Sequence, residues 1–407
     1  MEQTVSGTER KRIMMLGGNY FQKTATLAAV REGYYVISVD YLPDNPAHKY
    51  AHEYYNISTI DREKVLEKAR ELHIDGIVSF ASDVSAPTAA CVAEALGLPT
   101  NPYESVNILT HKNLFRKFLK EHDFPVPFGE TFTDREAARA FCAGAGRSMM
   151  LKPVDASGSK GVARIDSMEQ FDAAWDEAMR YSLSKTVILE ELIERSGYQM
   201  DGDIFVDRGE IVMWGICSQH HDMACAPYVP VGHSYPPVQE KKYQEEAAAQ
   251  IRRLLWLLKL HMGAFNVEYI VDRRGRVFLM EIGPRSGGNL IADAVCEASG
   301  IDMARALVRQ AVGDDAAYLK TQERNRGFVS SYIVHSQKSG IFREMKVSPV
   351  IKEKIIRSDL FIQRGDEVTE FRNAAFSIGA MLLRFDSAEE MCEMVENMNE
   401  YLEIVVE

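Results

Sequence analysis

A chain of 407 residues with 46% apolar and 26% charged residues is too long for one hydrophobic core and divides into roughly two to four domains. Its net charge of −12 excludes the basic footprint of a nucleic-acid binder, yet leaves room for local positive pockets that bind anions. No apolar run approaches the ~18 residues of a membrane span, the polar opening MEQTVSGTERKR is not that of a signal peptide, and six scattered cysteines without a C-x-x-C pair read as reduced thiols of a cytoplasmic protein.

In chain order, RIMMLGG (12–18), a helix over about Lys23–Arg31 and YYVISVD ending at Asp40 form a strand–helix–strand unit, the signature of a parallel sheet. A helix over about 61–72, the strand DGIVSF (75–80) and a helix over about 86–96 ending near Gly97 complete a small doubly wound α/β domain. Gly17-Gly18 is a tight turn, because neither G-x-G-x-x-G nor the P-loop pattern is present. THKNLFRKFLKEHDFPVP (110–127) is a helix ended by prolines, with Lys112 in its first turn opposing the helix dipole. RSMMLKPVDASGSKGVARI (147–165) reads as strand, glycine loop, strand. Lys152 lies in the first strand, and Gly158, Lys160 and Gly161 in the loop; Asp155 is a turn residue. There follow a helix (about 167–181), the apolar strand TVILEELI (186–193), a hairpin over 200–218 around DRGE, a helix (about 239–261), the paired strands AFNVEYIV and RVFLMEI, and a helix from Leu290. The last ninety or so residues form a separate α+β unit.

The chemistry concentrates in FNVEYI and FLMEIGPRSGGN. If DRRG is a four-residue connection, Val271 pairs with Arg276, Glu268 faces Leu279, and Glu281 lies two residues along on the same face. An odd-length loop or a bulge would separate the two carboxylates. Two like charges on one partly buried face repel, and a hard divalent cation such as Mg²⁺ removes the conflict. A surface glutamate at a strand end is the alternative. GPRSGGN adds exposed backbone amides, Arg285 and a helix start at Asn289, a combination that attracts anions. His220, His221 and Asp222 look metal-like, but nothing nearby completes the three or four ligands of a zinc site. His233, in PYVPVGHSYPP, is a lone loop histidine that either touches phosphate or substrate or is structural.

Taken in order, these segments resemble the ATP-grasp superfamily over nearly the whole chain, with the closest likeness to carboxylate–amine ligases of the L-amino-acid ligase, carbamoyl-phosphate-synthase and purine-biosynthesis type. The resemblance implies a multidomain α/β and α+β fold. A pre-ATP-grasp domain (1–109) with a doubly wound parallel sheet precedes a two-lobed ATP-grasp domain (110–313) with a flexible lid (about 146–190) and an α+β C-terminal domain (314–407). It implies ATP and Mg²⁺ (or Mn²⁺). Lys112 and Lys152 would meet phosphates, the loop Ser157, Gly158, Ser159 and Gly161 would cover them, and His233 would lie close by. Glu190 would accept from the adenine amino group, and the backbone of Glu191, Leu192 and Ile193 would meet the ring. Gln199 would reach the ribose, Glu268, Glu281 and Asn289 the metal, and Arg285 an acyl phosphate. Lys152, Glu281 and Arg285 would thus carry the chemistry. Two positions depart from the family pattern: Gly283 where many members have asparagine, and Gln199 where many have glutamate. The implied reaction joins a small-molecule carboxylate to an amine, with a homodimer as the implied assembly and neither nucleic acid nor membrane as partner. Three rivals stand beside it: bicarbonate activation, weakened by the lack of a biotin-attachment signature; a dinucleotide-dependent oxidoreductase, weakened by the incomplete glycine fingerprint; and a nucleotide-binding module without catalysis.

Overall fold

The computed structural model describes residues 10–316, 319 and 326–407. The first sheet contains β1 (Arg12–Leu16), β2 (Tyr35–Asp40), β3 (Glu53–Asn56) and β4 (Gly76–Ser79), all parallel, in the order β3-β2-β1-β4. β1, β2 and β4 are nearly continuous apolar runs because both faces are covered by helices. Those helices are α1 (Lys23–Arg31), α2 (Arg62–Glu71) and α3 (Ala86–Leu96), the last closed by Gly97 at φ +67°. The edge strand β3, EYYN, escaped the sequence reading because it is short and carries no apolar run.

The helix expected over 110–127 is α5 (Lys112–Glu121), and a further helix, α4 (Tyr103–Thr110), precedes it, the two separated at His111 in extended conformation. Thr110 Oγ1 bonds the carbonyls of Val106 and Asn107, which closes α4. Lys112 N donates to Val154 O at 2.9 Å, so the break anchors α5 to the next lobe. That lobe is a small antiparallel sheet of β5 (Gly129–Phe132), β6 (Met149–Pro153), β7 (Ala163–Ile165) and β8 (Val187–Glu191), in the order β5-β8-β6-β7. Helices α6 (Arg135–Gly144) and α7 (Phe171–Tyr181) cover one face through Ala138, Cys142, Phe171, Trp175 and Ala178.

The largest sheet has eight strands. β9 (Gln199–Asp207), β10 (Glu210–Asp222), β11 (Ala226–Tyr235), β12 (Met262–Val271) and β13 (Val277–Gly283) supply five. After β14 (Phe328–Val334) come β15 (Gly340–Val347), β16 (Ile355–Leu360), β17 (Glu367–Val368), β18 (Gly379–Phe385) and β19 (Leu402–Val406). β14, β16 and β18 extend the large sheet, whose order is β13-β12-β9-β10-β11-β14-β18-β16. The C-terminal segment, expected to be a separate unit, therefore shares a hydrogen-bonded sheet with the one before it, joined where β14 pairs β11. PYVPVGHSYPP, expected as a loop, lies largely in β11. Val229, Val231, His233 and Ser234 are buried along it, a strand signal its prolines and glycine obscured.

Candidate active site

The β12–β13 connection has five residues, not four: Val271 pairs with Val277 and Tyr269 with Leu279. That odd length alone would send Glu268 and Glu281 to opposite faces. A bulge at Met280 shifts the register once more, so Glu268 lies directly opposite Glu281. Two departures from the expected register cancel, and the carboxylates share a face.

The next strand extends this face. Asp201 on β9 pairs with Glu268, and Asp203 pairs with Asn266, which in turn pairs with Gly283. Two rows thus cross three strands: Asp201–Glu268–Glu281 and Asp203–Asn266–Gly283. Asp201 and Asp203 were missed in the sequence, although QMDGD alternates polar residues at Gln199, Asp201 and Asp203 within a strand. Burial opposes the charge of Asp201. His233 Nε2 (2.9 Å) and Asn266 Nδ2 (2.8 Å) outweigh it and hold the carboxyl below the usual range, and Gln219 Nε2 also donates at 3.0 Å. Asp203, fully buried, is pushed up to about 7 by burial, although Gly287 N donates to its Oδ1 at 2.7 Å. Its Oδ2 has no partner among the described residues. Glu268 is pushed up to about 8 by burial first, then by Asp201 and Glu281. Gln199 Nε2 donates to Glu268 Oε1.

This face forms part of the wall of a cavity of about 460 Å³ between the large sheet and the small lobe. Lys112, Lys152, Gln199, Glu268, Met280 and Glu281 line it, and Ala156, Ser157, Gly158 and Ser159 lie along another side. Lys112 Nζ reaches Glu281 Oε2 at 3.0 Å and Ala156 O at 3.2 Å. Burial disfavours the charge of Lys112, but Glu281 overcomes it and raises the ammonium above its ordinary value. Ser159 Oγ donates to Tyr228 O at 2.9 Å, tying the glycine loop to β11. Asp155 is the turn residue expected, accepting from Ser182, Leu183 and Ser184.

Several predicted residues sit elsewhere. Glu190, 2% exposed, does not line the cavity: Arg116 Nε donates to one oxygen and Lys152 Nζ lies 3.1 Å from the other. Burial opposes its charge, but Arg116 and Lys152 hold its carboxyl down at about 2. Its side chain faces two cations, and Arg116 is a neighbour the sequence did not point to. Glu191, Leu192 and Ile193 do line the cavity, but the amides of Glu191 and Leu192 donate to Phe128 O and Ser148 O. Gly161 turns from the cavity to pack on α7, where a Cβ would meet Ala178 Cα at 3.0 Å. His233 is buried in β11 against Asp201, and Asn289 is absent from the cavity lining. Arg285 is bound to Asp83 and lines neither this cavity nor its neighbour. The neighbouring cavity, about 340 Å³, shares Lys112, Ala156, Ser157, Met280 and Glu281 and is rimmed by Ile60, Val84 and Leu183.

His220, His221 and Asp222 diverge. His220 is buried beside Ser234, while His221 lines the first cavity. Asp222 meets His335 (3.1 Å) and Cys225 in a separate cluster. Gln337, Asn399 and Ala224 N also donate to Asp222, which saturates its oxygens without a cation.

Residues 146–293 match the sequence model of the ATP-grasp domain, and the matched stretch contains β6, the glycine loop and both rows of the acidic face. The chain carries an ATP-grasp domain. The arrangement extends to whole chains: the L-amino acid ligase of Bacillus licheniformis shares the fold with a TM-score of 0.81 at 19% identity, over 98% of this chain and 100% of that one. Among curated sequences, the carbamoyl phosphate synthase large chain of Pseudothermotoga lettingae is 25% identical over 342 residues, 78% of this chain and 30% of its own length. The formate-dependent phosphoribosylglycinamide formyltransferase of Burkholderia vietnamiensis is 31% identical over 173 residues, 41% of this chain and 42% of its own. The chain thus spans about 30% of the length of the first curated relatives it matches. Among the described residues, no helix is long and apolar enough to cross a membrane.

Proposed function

We propose that the protein is an ATP-dependent carbon–nitrogen ligase. The γ-phosphoryl group of ATP passes to a carboxylate oxygen, giving an acyl phosphate and ADP. An amine nitrogen then attacks the carbonyl carbon, the bond to phosphate breaks, the nitrogen loses a proton, and an amide and phosphate leave. The observation that supports this most directly is the acidic row. Asp201, Glu268 and Glu281 stand side by side, the two glutamates on the wall of a nucleotide-sized cavity and Asp201 buried beside them, and burial with mutual repulsion drives Glu268 far above the ordinary carboxylate range. Such a donor set fits Mg²⁺ or Mn²⁺, held by Glu268 and Glu281. When bound, that ion neutralises phosphate charge as it develops.

The protein's own residues do the rest. Lys112 and Lys152 bring two cations to the phosphates, Lys152 being fixed from behind by Glu190 and Arg116. The segment 156–159 covers the cavity and keeps water from a reactive acyl phosphate. Gln199 holds one oxygen of Glu268. The second cavity, across the Lys112–Glu281 pair, gives the acid and amine a place next to the transferred phosphoryl group. The reading includes small-molecule substrates, a cytoplasmic setting in keeping with six free cysteines, and a homodimer. An ATP-dependent hydroxamate screen over carboxylic acids tests it, since hydroxylamine traps an acyl phosphate whatever the natural amine. Acid-dependent release of ADP with hydroxamate is expected. Nucleotide binding with no acid-dependent turnover would refute it, and labelled bicarbonate in parallel separates the carboxylase rival.

A further inference from the structure

The loops after β4 and β13 meet beside the acidic row. Arg285 donates to both oxygens of Asp83, from Nε to Oδ1 at 2.8 Å and from Nη2 to Oδ2. The two side chains are 11% and 15% exposed. A backbone bond, Ala81 N to Ser286 O at 3.1 Å, joins the same loops. Ser79 Oγ donates to Ser82 O at 2.7 Å, and Ala81 holds φ +51°, a conformation unfavourable for a residue with a Cβ. The first domain thus maintains a shaped, strained loop that presents Asp83.

Gly283 explains what the loop is shaped against. Its φ lies outside the left-handed region, so its backbone does not call for glycine. A Cβ there, however, would stand 2.8 Å from Asp83 Oδ1 and 3.1 Å from Arg285 Cζ. The space a side chain would take at the end of the second row is already filled by a carboxylate and a guanidinium. We propose that Asp83 stands in for the missing side chain at 283: it fixes Arg285 at the edge of the acidic rows and makes the first domain part of the site. Asp83 lines the second cavity with Lys112 and Glu281, whereas Arg285 does not. Asp83 is therefore a positioning residue, through which a buried guanidinium offsets the negative charge around Glu281. This rests on the ligase reading for its catalytic consequence, but not for the geometry.

The test uses the full chain and three variants: Asp83→Asn, Gly283→Asn, and Asp83→Ala with Gly283→Asn. MgADP affinity by calorimetry, acid-dependent phosphate release, and phenylglyoxal modification of Arg285 mapped by mass spectrometry are measured on each. Asp83→Asn is expected to bind MgADP within about twofold of wild type, to lose about 10- to 100-fold in phosphate release, and to expose Arg285 to faster modification. Gly283→Asn loses similarly because it collides, and the double variant recovers at least about tenfold over it as the asparagine enters the vacated space. Wild-type phosphate release in Asp83→Asn, or a double variant no better than Gly283→Asn, overturns the inference. If wild type turns over no acid at all, the ligase reading fails separately. Arg285 labelling still decides the pairing, and an unchanged rate in Asp83→Asn refutes it.

Discussion

Two buried glutamates, one in the small lobe and one in the large sheet, are handled in opposite ways. Glu190, on β8 of the small lobe, is buried between Arg116 and Lys152 and is held ionised down to about 2. Glu268, on β12 of the large sheet, is flanked by Asp201 and Glu281 and is driven up to about 8. The first is a completed ion-pair network whose work is to place Lys152. The second is a carboxyl whose ionised form is disfavoured by burial and two acidic neighbours, a conflict that a cation would relieve. Lys112 answers part of that need through Glu281 and leaves Glu268 with Gln199.

The sharpest way to break the comparison is to remove compensation from the paired side. Arg116→Met leaves Glu190 with Lys152 alone in a buried setting and is expected to destabilise the protein by about 3 kcal/mol, read by urea titration at neutral pH. Glu190 has a folded value below its unfolded one, so its stabilisation is present above the ordinary carboxylate range and is lost as pH falls toward 2. The gap between wild type and variant should therefore narrow on acidification. A constant gap would mean Arg116 acts by packing.

On the unpaired side, the largest effect is on turnover. Glu281→Gln keeps the shape of β13 but removes one carboxylate from the row and the partner of Lys112. Phosphate release should fall at least about a hundredfold, roughly 2.7 kcal/mol, with the folded state retained. Wild-type rates in that variant would end the assignment of the acidic row to catalysis.

How much of this was readable beforehand divides along the same line. The elements were legible because apolar runs and helix faces are local: 23–31 and 86–96 match their helices to the residue. Lys112, Lys152, Glu268 and Glu281 were legible because they belong to ordered motifs. The register was not. It depends on a five-residue turn and a bulge at Met280, two errors that cancel and leave no trace in the sequence pattern. The partner of Glu190 was not legible, since Arg116 lies 74 residues away on α5. Asp83 and Arg285 are 202 residues apart, and only the folded chain shows that Gly283 makes room for them.

A smaller effect sharpens the contrast through pH. Glu268 has a folded value raised above its unfolded one, so its contribution is intact below the ordinary carboxylate range and is lost as pH rises toward about 8. Glu268→Gln should match wild type near pH 5 and exceed it near pH 8 by on the order of 2 kcal/mol, measured without divalent ions. Magnesium should stabilise wild type at pH 8 and leave the variant nearly unmoved. A wild type indifferent to magnesium would show that the row holds no cation.

The smallest expected effect concerns the loop that joins the small lobe to the large sheet. Ser159 has φ +57° and donates to Tyr228 O at 2.9 Å, so one hydrogen bond holds a residue in a conformation that disfavours a side chain. Ser159→Ala removes the bond and keeps the strain; Ser159→Gly removes both. The alanine variant should lose about 1 kcal/mol of loop order, read as a several-fold rise in the KM for ATP with kcat little changed. The glycine variant should lie between it and wild type, because relief of the backbone offsets part of the lost bond. If both variants behaved alike, the left-handed conformation would cost nothing here, and the loop would be held by Gly158 O accepting from Ala374 N instead.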